Sequence, residues 1–115
     1  MNLPRIADLH AGEWFEHVRF PGVTMKNLLT TDDNPLANIN AVHVPSGQVI
    51  ARHVHKKQVE TILIVSGEAI LMLGQSDVSL QAGQLVAIPM GLEHALRNEG
   101  EAAVELLTFF TPPLQ

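Results

Sequence analysis

Two short segments of the chain carry histidine and glutamate side chains at spacings that suit metal binding. The first contains His53, His55 and Glu60, and the second contains His94. His53 and His55 are two residues apart, so on an extended strand both imidazoles point to the same face. Four residues then separate His55 from Glu60, which is enough for a turn that lets the next strand run back beside the first.

The residues that follow the candidate ligands continue the same faces with apolar side chains. Glu60 shares its face with Ile62 and Ile64 on a strand, and His94 begins a later strand whose face continues with Leu96. This alternation predicts that the carboxylate and the third imidazole look into one apolar interior.

Three imidazoles and one carboxylate form a ligand set that suits Fe, Mn, Ni, Cu or Zn better than Ca or Mg, which prefer oxygen ligands. In an octahedral ion, four protein ligands leave two positions open for a bidentate substrate, or for a substrate beside O₂. Cysteine is absent, so thiolate sites and cysteine nucleophiles are excluded. A His-X-His pair alone is equally typical of an exposed strand edge or a packed imidazole, and both alternatives stay open at this point.

Composition and charge favour one globular domain with a small-molecule ligand. Of 115 residues, 46% are hydrophobic and 17% are charged, which is typical of a packed domain. The chain has a net charge of -5 and shows no basic face of the kind that binds phosphate backbones, so we expect no nucleic-acid partner. The first 20 residues contain no apolar core of a secretory signal, and no apolar run is long enough to cross a bilayer, so we expect a soluble cytoplasmic protein without a membrane partner.

Short runs rich in valine, isoleucine and leucine, separated by proline and glycine, predict an all-β chain. The predicted strands are 15–20, 23–30, 37–44, 49–55, 59–66, 69–73, 78–80, 85–88, 94–97 and 104–110. Strands at this spacing favour a sandwich or barrel, because closure removes exposed sheet edges.

The glycines and the proline around the candidate ligands give the chain a family resemblance. The residues that match the first cupin motif, separated by five, one, four and six positions, are Gly47, His53, His55, Glu60 and Gly67. Those that match the second motif, separated by five, one, two and three positions, are Gly83, Pro89, Gly91, His94 and Asn98. The fifteen residues between the motifs are similar to the spacer of compact single-domain microbial cupins.

This resemblance to the cupin superfamily implies a jelly-roll β-barrel formed by one domain, residues 1–115, with both motifs within 47–98. It also implies one divalent transition metal per chain, held by the histidines and glutamate of the motifs. In this sequence those ligands are His53, His55, Glu60 and His94. Fe or Mn is the expected metal, and Ni, Zn and Cu remain open.

Strand alternation predicts the wall of the pocket around the metal. If 37–44 pairs as a hairpin with 49–55, Asn40 faces His53, although Asn40 could equally satisfy only backbone groups. Glu105 belongs on the outside, which turns the alternate residues of the last strand inward. The predicted pocket-lining residues are Asn40, Ile62, Ile64, Leu96, Leu106, Thr108 and Phe110.

Few acid–base groups are expected near this pocket, which leaves Glu60 as the catalytic candidate. Arg52, Lys56 and Lys57 crowd the metal loop and would attract a small anionic substrate, although such a cluster is also typical of a solvated turn. The other three histidines have no second candidate ligand at a suitable spacing, so we expect that they do not bind metal. They are His10, His17 and His43.

The resulting hypothesis is a metal-dependent enzyme of the dioxygenase type that acts on a small substrate. The alternatives are a non-catalytic cupin module that senses a small ligand or metal, and a metal-dependent isomerase or decarboxylase. We also expect a homodimer, because residues 1–36 contain Trp14, Phe15 and Phe20, and similar cupins pair through N-terminal strands. The alternative is that these aromatic side chains cap the open end of their own barrel.

Overall fold

The computed structural model describes residues 3–114, which form ten β-strands and no helix. The strands are β1 Phe15–Glu16, β2 Thr24–Leu29, β3 Asn38–Val44, β4 Val49–His53, β5 Val59–Ser66, β6 Glu68–Leu73, β7 Ser76–Gln81, β8 Leu85–Ile88, β9 His94–Arg97 and β10 Val104–Thr111. Accordingly, within residues 3–114 no helix is long and apolar enough to cross a membrane. Residues 1, 2 and 115, the ends of the predicted domain, lie outside the described residues.

The strands form two antiparallel sheets of six and four strands. The six-stranded sheet has the order β1-β2-β3-β10-β5-β8, and the four-stranded sheet has the order β4-β9-β6-β7. The two sheets remain separate hydrogen-bonded units within residues 3–114, and they enclose the core as a jelly roll. The prediction of an all-β jelly roll is therefore confirmed. The strand order and the crossings between sheets could not be predicted by pairing each strand with the next one in the chain.

Alternating side chains place the core between the sheets. In β5, Ile62 and Ile64 are buried while their neighbours are partly exposed, and β10 repeats this pattern with Leu106 and Thr108. Ile64 lies opposite Leu106 and Ile62 lies opposite Thr108, so the two central strands present one continuous face. Outward Glu105 confirms the orientation predicted for β10.

The predicted hairpin between 37–44 and 49–55 is wrong. β3 pairs with β2 and β10, whereas β4 pairs with β9 in the other sheet. The Pro45–Gln48 turn carries the chain across the jelly roll instead of back along the same sheet. This crossing is fixed by Asn98, whose N–H donates to the Gln48 carbonyl at 3.1 Å and whose carbonyl accepts from Gly47 N–H at 2.9 Å.

The prediction that β5 runs back beside β4 in the same sheet is also wrong. β5 pairs with β10 and β8 in the six-stranded sheet, so Glu60 faces His53 and His55 across the interior rather than along one sheet. Strand β4 ends at His53, and His55 lies in the connection that follows. Two imidazoles from one wall and a carboxylate from the opposite wall therefore meet in the middle of the jelly roll.

Candidate metal centre

The four side chains predicted as ligands lie together inside the jelly roll. One possible ligand atom from each of His53, His55, Glu60 and His94 lies within 4.8 Å of all the others. His94 Nε2 is 2.9 Å from Glu60 Oε1, and His55 Nε2 is 3.5 Å from the same oxygen. Ligand atoms about 2.1 Å from one ion are separated by about 3 Å when adjacent and about 4.2 Å when opposite, so this cluster can hold a metal ion.

Two of the imidazoles are oriented by backbone carbonyls on the side away from the cluster. His53 Nδ1 lies 2.7 Å from the Ala51 carbonyl oxygen, and His94 Nδ1 lies 2.9 Å from that of Leu92. Each carbonyl requires a proton on Nδ1, which leaves Nε2 as the atom that can bind a metal. Such hydrogen bonds behind a ligand fix the ring and its tautomer. The donor set therefore fits a divalent transition metal chemically as well as in position.

The Glu60 carboxylate is buried, and each of its two oxygens has a different hydrogen-bond partner. The Thr108 hydroxyl donates to Glu60 Oε2 at 2.6 Å, so Oε1 is the oxygen that faces the imidazoles. Burial raises the pKa of Glu60, but the hydrogen bonds from His94 and Thr108 outweigh it and hold this pKa below its ordinary value. The carboxylate is thus kept ionised, as a metal ligand must be.

The histidines of the cluster divide into two protonation classes. Burial lowers the pKa of His53 and of His55, which favours the neutral rings that bind metals. Burial also lowers the pKa of His94, but the hydrogen bond to Glu60 and the Leu92 carbonyl outweigh it and raise this pKa overall. Without an ion, the raised pKa of His94 and the lowered pKa of Glu60 favour a protonated imidazole beside an ionised carboxylate, and metal binding would displace that proton.

The cluster lies at the inner end of a cavity of about 110 Å³. A closed cavity of about 150 Å³ holds a benzene molecule, so this one has room for a ligand of a few non-hydrogen atoms. Besides the four cluster residues, its lining is mainly apolar. The lining residues outside the cluster are His17, Arg19, Phe20, Ile50, Ile62, Leu71, Ala95, Leu96, Leu106, Phe110 and Leu114.

Four of the predicted wall residues line this cavity, namely Ile62, Leu96, Leu106 and Phe110. The other three, Asn40, Ile64 and Thr108, are not among the described lining residues. Ile64 is fully buried in the hydrophobic core.

Asn40 and Thr108 are displaced from the wall for reasons of pairing and hydrogen bonding. Asn40 lies opposite Thr108 in β10 instead of opposite His53, because β3 does not pair with β4. Thr108 stands behind Glu60 and donates its only hydroxyl proton to the carboxylate. Neither Asn40 nor Thr108 is among the described residues that line the cavity, and the Thr108 hydroxyl proton is committed to Glu60.

A second source of lining residues, the loop 17–23, was not predicted from the sequence. The predicted strand 15–20 is wrong over residues 17–20, because β1 ends at Glu16. His17, Arg19 and Phe20 reach the cavity from this loop, although His17 lies outside the ligand cluster, as expected. The sequence marks only a tight turn at Pro21-Gly22. What the pattern could not give is the packing of Phe20, whose ring lies 5.5 Å from that of His53.

The remaining motif residues support the architecture of the site. Gly67 has a φ of +85°, and a Cβ there would lie 2.5 Å from the Ala103 carbonyl oxygen. Asn98 is buried, and its side-chain amide donates to the carbonyls of Val44 and Ala102 at 3.0 and 2.9 Å. Asn98 thereby ties the end of β9 in one sheet to the end of β3 in the other.

Comparison with known proteins identifies the class of fold and site. The family model described as the cupin domain matches residues 40–110, which is more than half of the chain. That segment contains both motifs and all four residues of the cluster. The chain belongs to the cupin domain family.

Individual relatives agree with this assignment. The chain is 29% identical over 69 residues to the xanthan biosynthesis protein XanB of Xanthomonas campestris pv. campestris, which covers 60% of this chain but only 15% of that relative. Its fold is similar to the crystal structure of a predicted oxalate decarboxylase from Thermotoga maritima, with a TM-score of 0.84, 21% identity and coverage of 93% and 98% of the two chains. It is also similar to KdgF from Halomonas sp., with a TM-score of 0.80, 21% identity and coverage of 92% and 91%.

Proposed function

We propose that this chain is a metal-dependent enzyme of the dioxygenase type that acts on a small enolisable substrate. The observation that carries the proposal is the meeting of three imidazoles and one carboxylate at the inner end of a small apolar cavity. His53, His55, Glu60 and His94 would hold one ion per chain, with Fe or Mn as the proposed metal. A bound ion of this kind would supply Lewis-acid and redox chemistry at that end of the cavity.

The apolar wall supports an oxidative reaction better than hydrolysis. Ile62, Leu96 and Leu106 exclude water from the inner cavity, which strengthens electrostatic interactions there and protects reactive species. In the proposed reaction, one carbon–carbon bond of an enol or diketone breaks. Both atoms of O₂ end in the carbonyl or carboxylate groups of the two fragments, and the enol supplies the electrons, so no separate reductant is required.

Glu60 is the proposed catalytic residue. Its carboxylate is held ionised by His94 and Thr108, and Oε1 faces the inner end of the cavity. From this position it would accept the proton that the substrate loses when it ionises to the enolate. Thr108 would keep the carboxylate in that orientation without contacting the substrate.

Oxygen consumption tests this proposal directly. Protein loaded anaerobically with Fe or Mn would be mixed with small diketones and keto acids, and O₂ uptake would be recorded together with the fragments formed. We expect one O₂ consumed for each substrate cleaved. Stoichiometric binding of these compounds without O₂ uptake or product would instead favour a ligand-sensing module.

A second candidate, a metal-dependent isomerase, is favoured by His17. Its Nδ1 accepts a hydrogen bond from the Arg19 backbone N–H at 3.1 Å, so the neutral ring carries its proton on Nε2. His17 lines the cavity, and it therefore adds an acid–base group that proton transfer between adjacent carbons could use. Isomerisation of a sugar phosphate without O₂ uptake would replace the dioxygenase proposal with this one.

A further inference from the structure

The loop 17–23 is anchored tightly against the proposed metal centre. His17 N–H donates to the Val23 carbonyl at 2.8 Å, and Val23 N–H donates to the Phe20 carbonyl at 3.2 Å. Gly22 has a φ of +83°, and a Cβ there would lie 2.6 Å from Gln48 Oε1. Phe20 is only 8% exposed and packs against the ring of His53. The residue before it, Arg19, is exposed and is among the residues that line the cavity.

The Arg19 guanidinium has no acidic partner in the described part of the chain. None of the ion pairs among residues 3–114 includes Arg19, whereas Arg52 pairs with Glu93 at 2.6 Å and Arg97 pairs with Asp77 at 2.9 Å. The guanidinium carbon of Arg19 lies 5.4 Å from the centre of the Phe20 ring, which orients the charged group without neutralising it.

Arg19 lines the same cavity as His53 and His55, so its charge acts on the site itself. Within residues 3–114, Glu60 is the only acidic residue of the lining. A divalent ion together with Arg19 would exceed that single negative charge, so the loaded cavity would attract an anion in a protein whose net charge is -5.

The cationic residues expected from the sequence do not provide this charge. Arg52 is neutralised by Glu93, and neither Lys56 nor Lys57 is among the described lining residues. A guanidinium presents parallel N–H donors that match the two oxygens of a carboxylate, and a planar carboxylate also suits a cavity of about 110 Å³.

We propose that Arg19 binds the carboxylate of the substrate, so that the substrates are small enolisable carboxylates. This assignment rests on the proposed function, in which the enolisable end of the same molecule occupies the inner end of the cavity. Arg19 is then the residue that selects an anionic substrate over a neutral diketone of the same size.

Paired probes separate this role from metal binding. Pyruvate and pyruvamide have the same number of non-hydrogen atoms and both carry two neighbouring oxygens, but only pyruvate is charged. Isothermal titration calorimetry of Zn-loaded protein, which is redox-inert, would measure the affinity of each probe for the wild type, Arg19→Gln, Arg19→Lys and Lys57→Gln. Metal content and thermal unfolding of every variant would be measured first, so that failure to take up metal, which contradicts the proposed function, is distinguished from failure of Arg19 to recognise the anion.

We expect Arg19→Gln to weaken pyruvate binding about 10- to 100-fold, because a charge-assisted hydrogen-bonded pair is lost. Pyruvamide binding should change little, Arg19→Lys should restore part of the affinity, and Lys57→Gln should resemble the wild type. Equal loss for both probes, an equal effect of Lys57→Gln, or wild-type protein that binds pyruvate no better than pyruvamide would overturn the proposal. Inorganic phosphate titrated in the same way would overturn the carboxylate assignment if its Arg19-dependent binding were tighter than that of pyruvate.

Discussion

The hydroxyl of Thr108 lies 2.6 Å from Glu60 Oε2 and turns the other carboxylate oxygen toward His94 and His55. The two residues stand on neighbouring strands, β10 and β5, and both are buried. The hydrogen bond thus links a residue outside the cavity to the orientation of a proposed ligand inside it.

Replacing Thr108 with valine should weaken metal binding about 10-fold or more, since partners behind a ligand typically contribute this much to affinity. Competition with a chromophoric chelator would measure the change. Thr61→Val is the matched control, because Thr61 follows Glu60 on β5 but lies opposite Phe109, on the other face of the strand. An equal loss of affinity in both variants would show that the Thr108 hydrogen bond does not act on the site.

Glu60→Gln should retain part of the metal affinity but lose most of the turnover, by about 100-fold or more, because the amide cannot accept the substrate proton. O₂ uptake per bound metal would separate the two effects. Glu101→Gln, at an exposed position outside the cavity, should behave as the wild type. A Glu60→Gln protein with unchanged turnover per metal would remove Glu60 from the proposed chemistry.

His94→Ala should lose metal and remain folded. The substitution leaves the buried Glu60 carboxylate without one of its two hydrogen-bond partners, at a cost of about 1–3 kcal/mol, which is smaller than the typical stability of a domain, about 5–15 kcal/mol. Metal analysis and thermal unfolding would test both points, with His43→Ala as the control because His43 lies outside the cluster. Global unfolding of His94→Ala alone would indicate that the metal is structural.

In metal-free protein, the pair of Glu60 and His94 should make stability depend on pH. Folding raises the pKa of His94, so its contribution is full below about pH 6.5 and is lost as pH rises through the raised value. Folding lowers the pKa of Glu60, so its contribution is present above about pH 4.3 and is lost as pH falls through the lowered value. The stability gap between wild type and Glu60→Gln should therefore be largest between these two pH values.

Histidine titration by NMR would check the same pair from the other side. The pKa of His94 should fall below its ordinary value in Glu60→Gln, because burial remains while the carboxylate is gone. An unchanged His94 titration, or a stability gap that is constant with pH, would contradict the buried pair.

Fewer of the aromatic residues expected in the homodimer contact are available at the surface than the sequence indicated. Phe20 is buried beside His53, so it caps its own site and cannot contribute to a partner contact. Phe15 on the edge strand β1 is 44% exposed and the nearby Val18 is 92% exposed. We expect sedimentation to show a dimer at micromolar concentration and Phe15→Ser with Val18→Ser to favour the monomer. A 12.5 kDa species for the wild type would reject the dimer.

Most of the strands could be predicted from the sequence because they carry a period-two pattern and flanking turn residues, whereas the predicted strand 15–20 is reduced to Phe15–Glu16 and the predicted strand 49–55 ends at His53. Strands 59–66, 85–88 and 94–97 match β5, β8 and β9 fully. The pairing partners could not be predicted, since a short turn such as Pro45–Gln48 fits a hairpin and a crossing between sheets equally well. The Asn98 contacts that decide between them come from a residue 50 positions away from Gln48.

The candidate ligands could be placed from spacing and family resemblance, but the cavity around them could not. Ile62, Leu96, Leu106 and Phe110 follow from strand alternation. Arg19 does not, because residues 18–20 contain no pattern that links them to a segment more than 30 positions away. Its location depends on the packing of Phe20 against His53, which only the folded chain determines.

The most direct test of the proposed metal centre is a crystal structure of metal-loaded protein, with anomalous scattering collected at the absorption edge of the bound metal. We expect one anomalous peak per chain at about 2.0–2.3 Å from His53 Nε2, His55 Nε2, His94 Nε2 and a Glu60 oxygen. A peak elsewhere in the chain, or any of these four side chains turned away from the ion, would contradict the proposed metal centre.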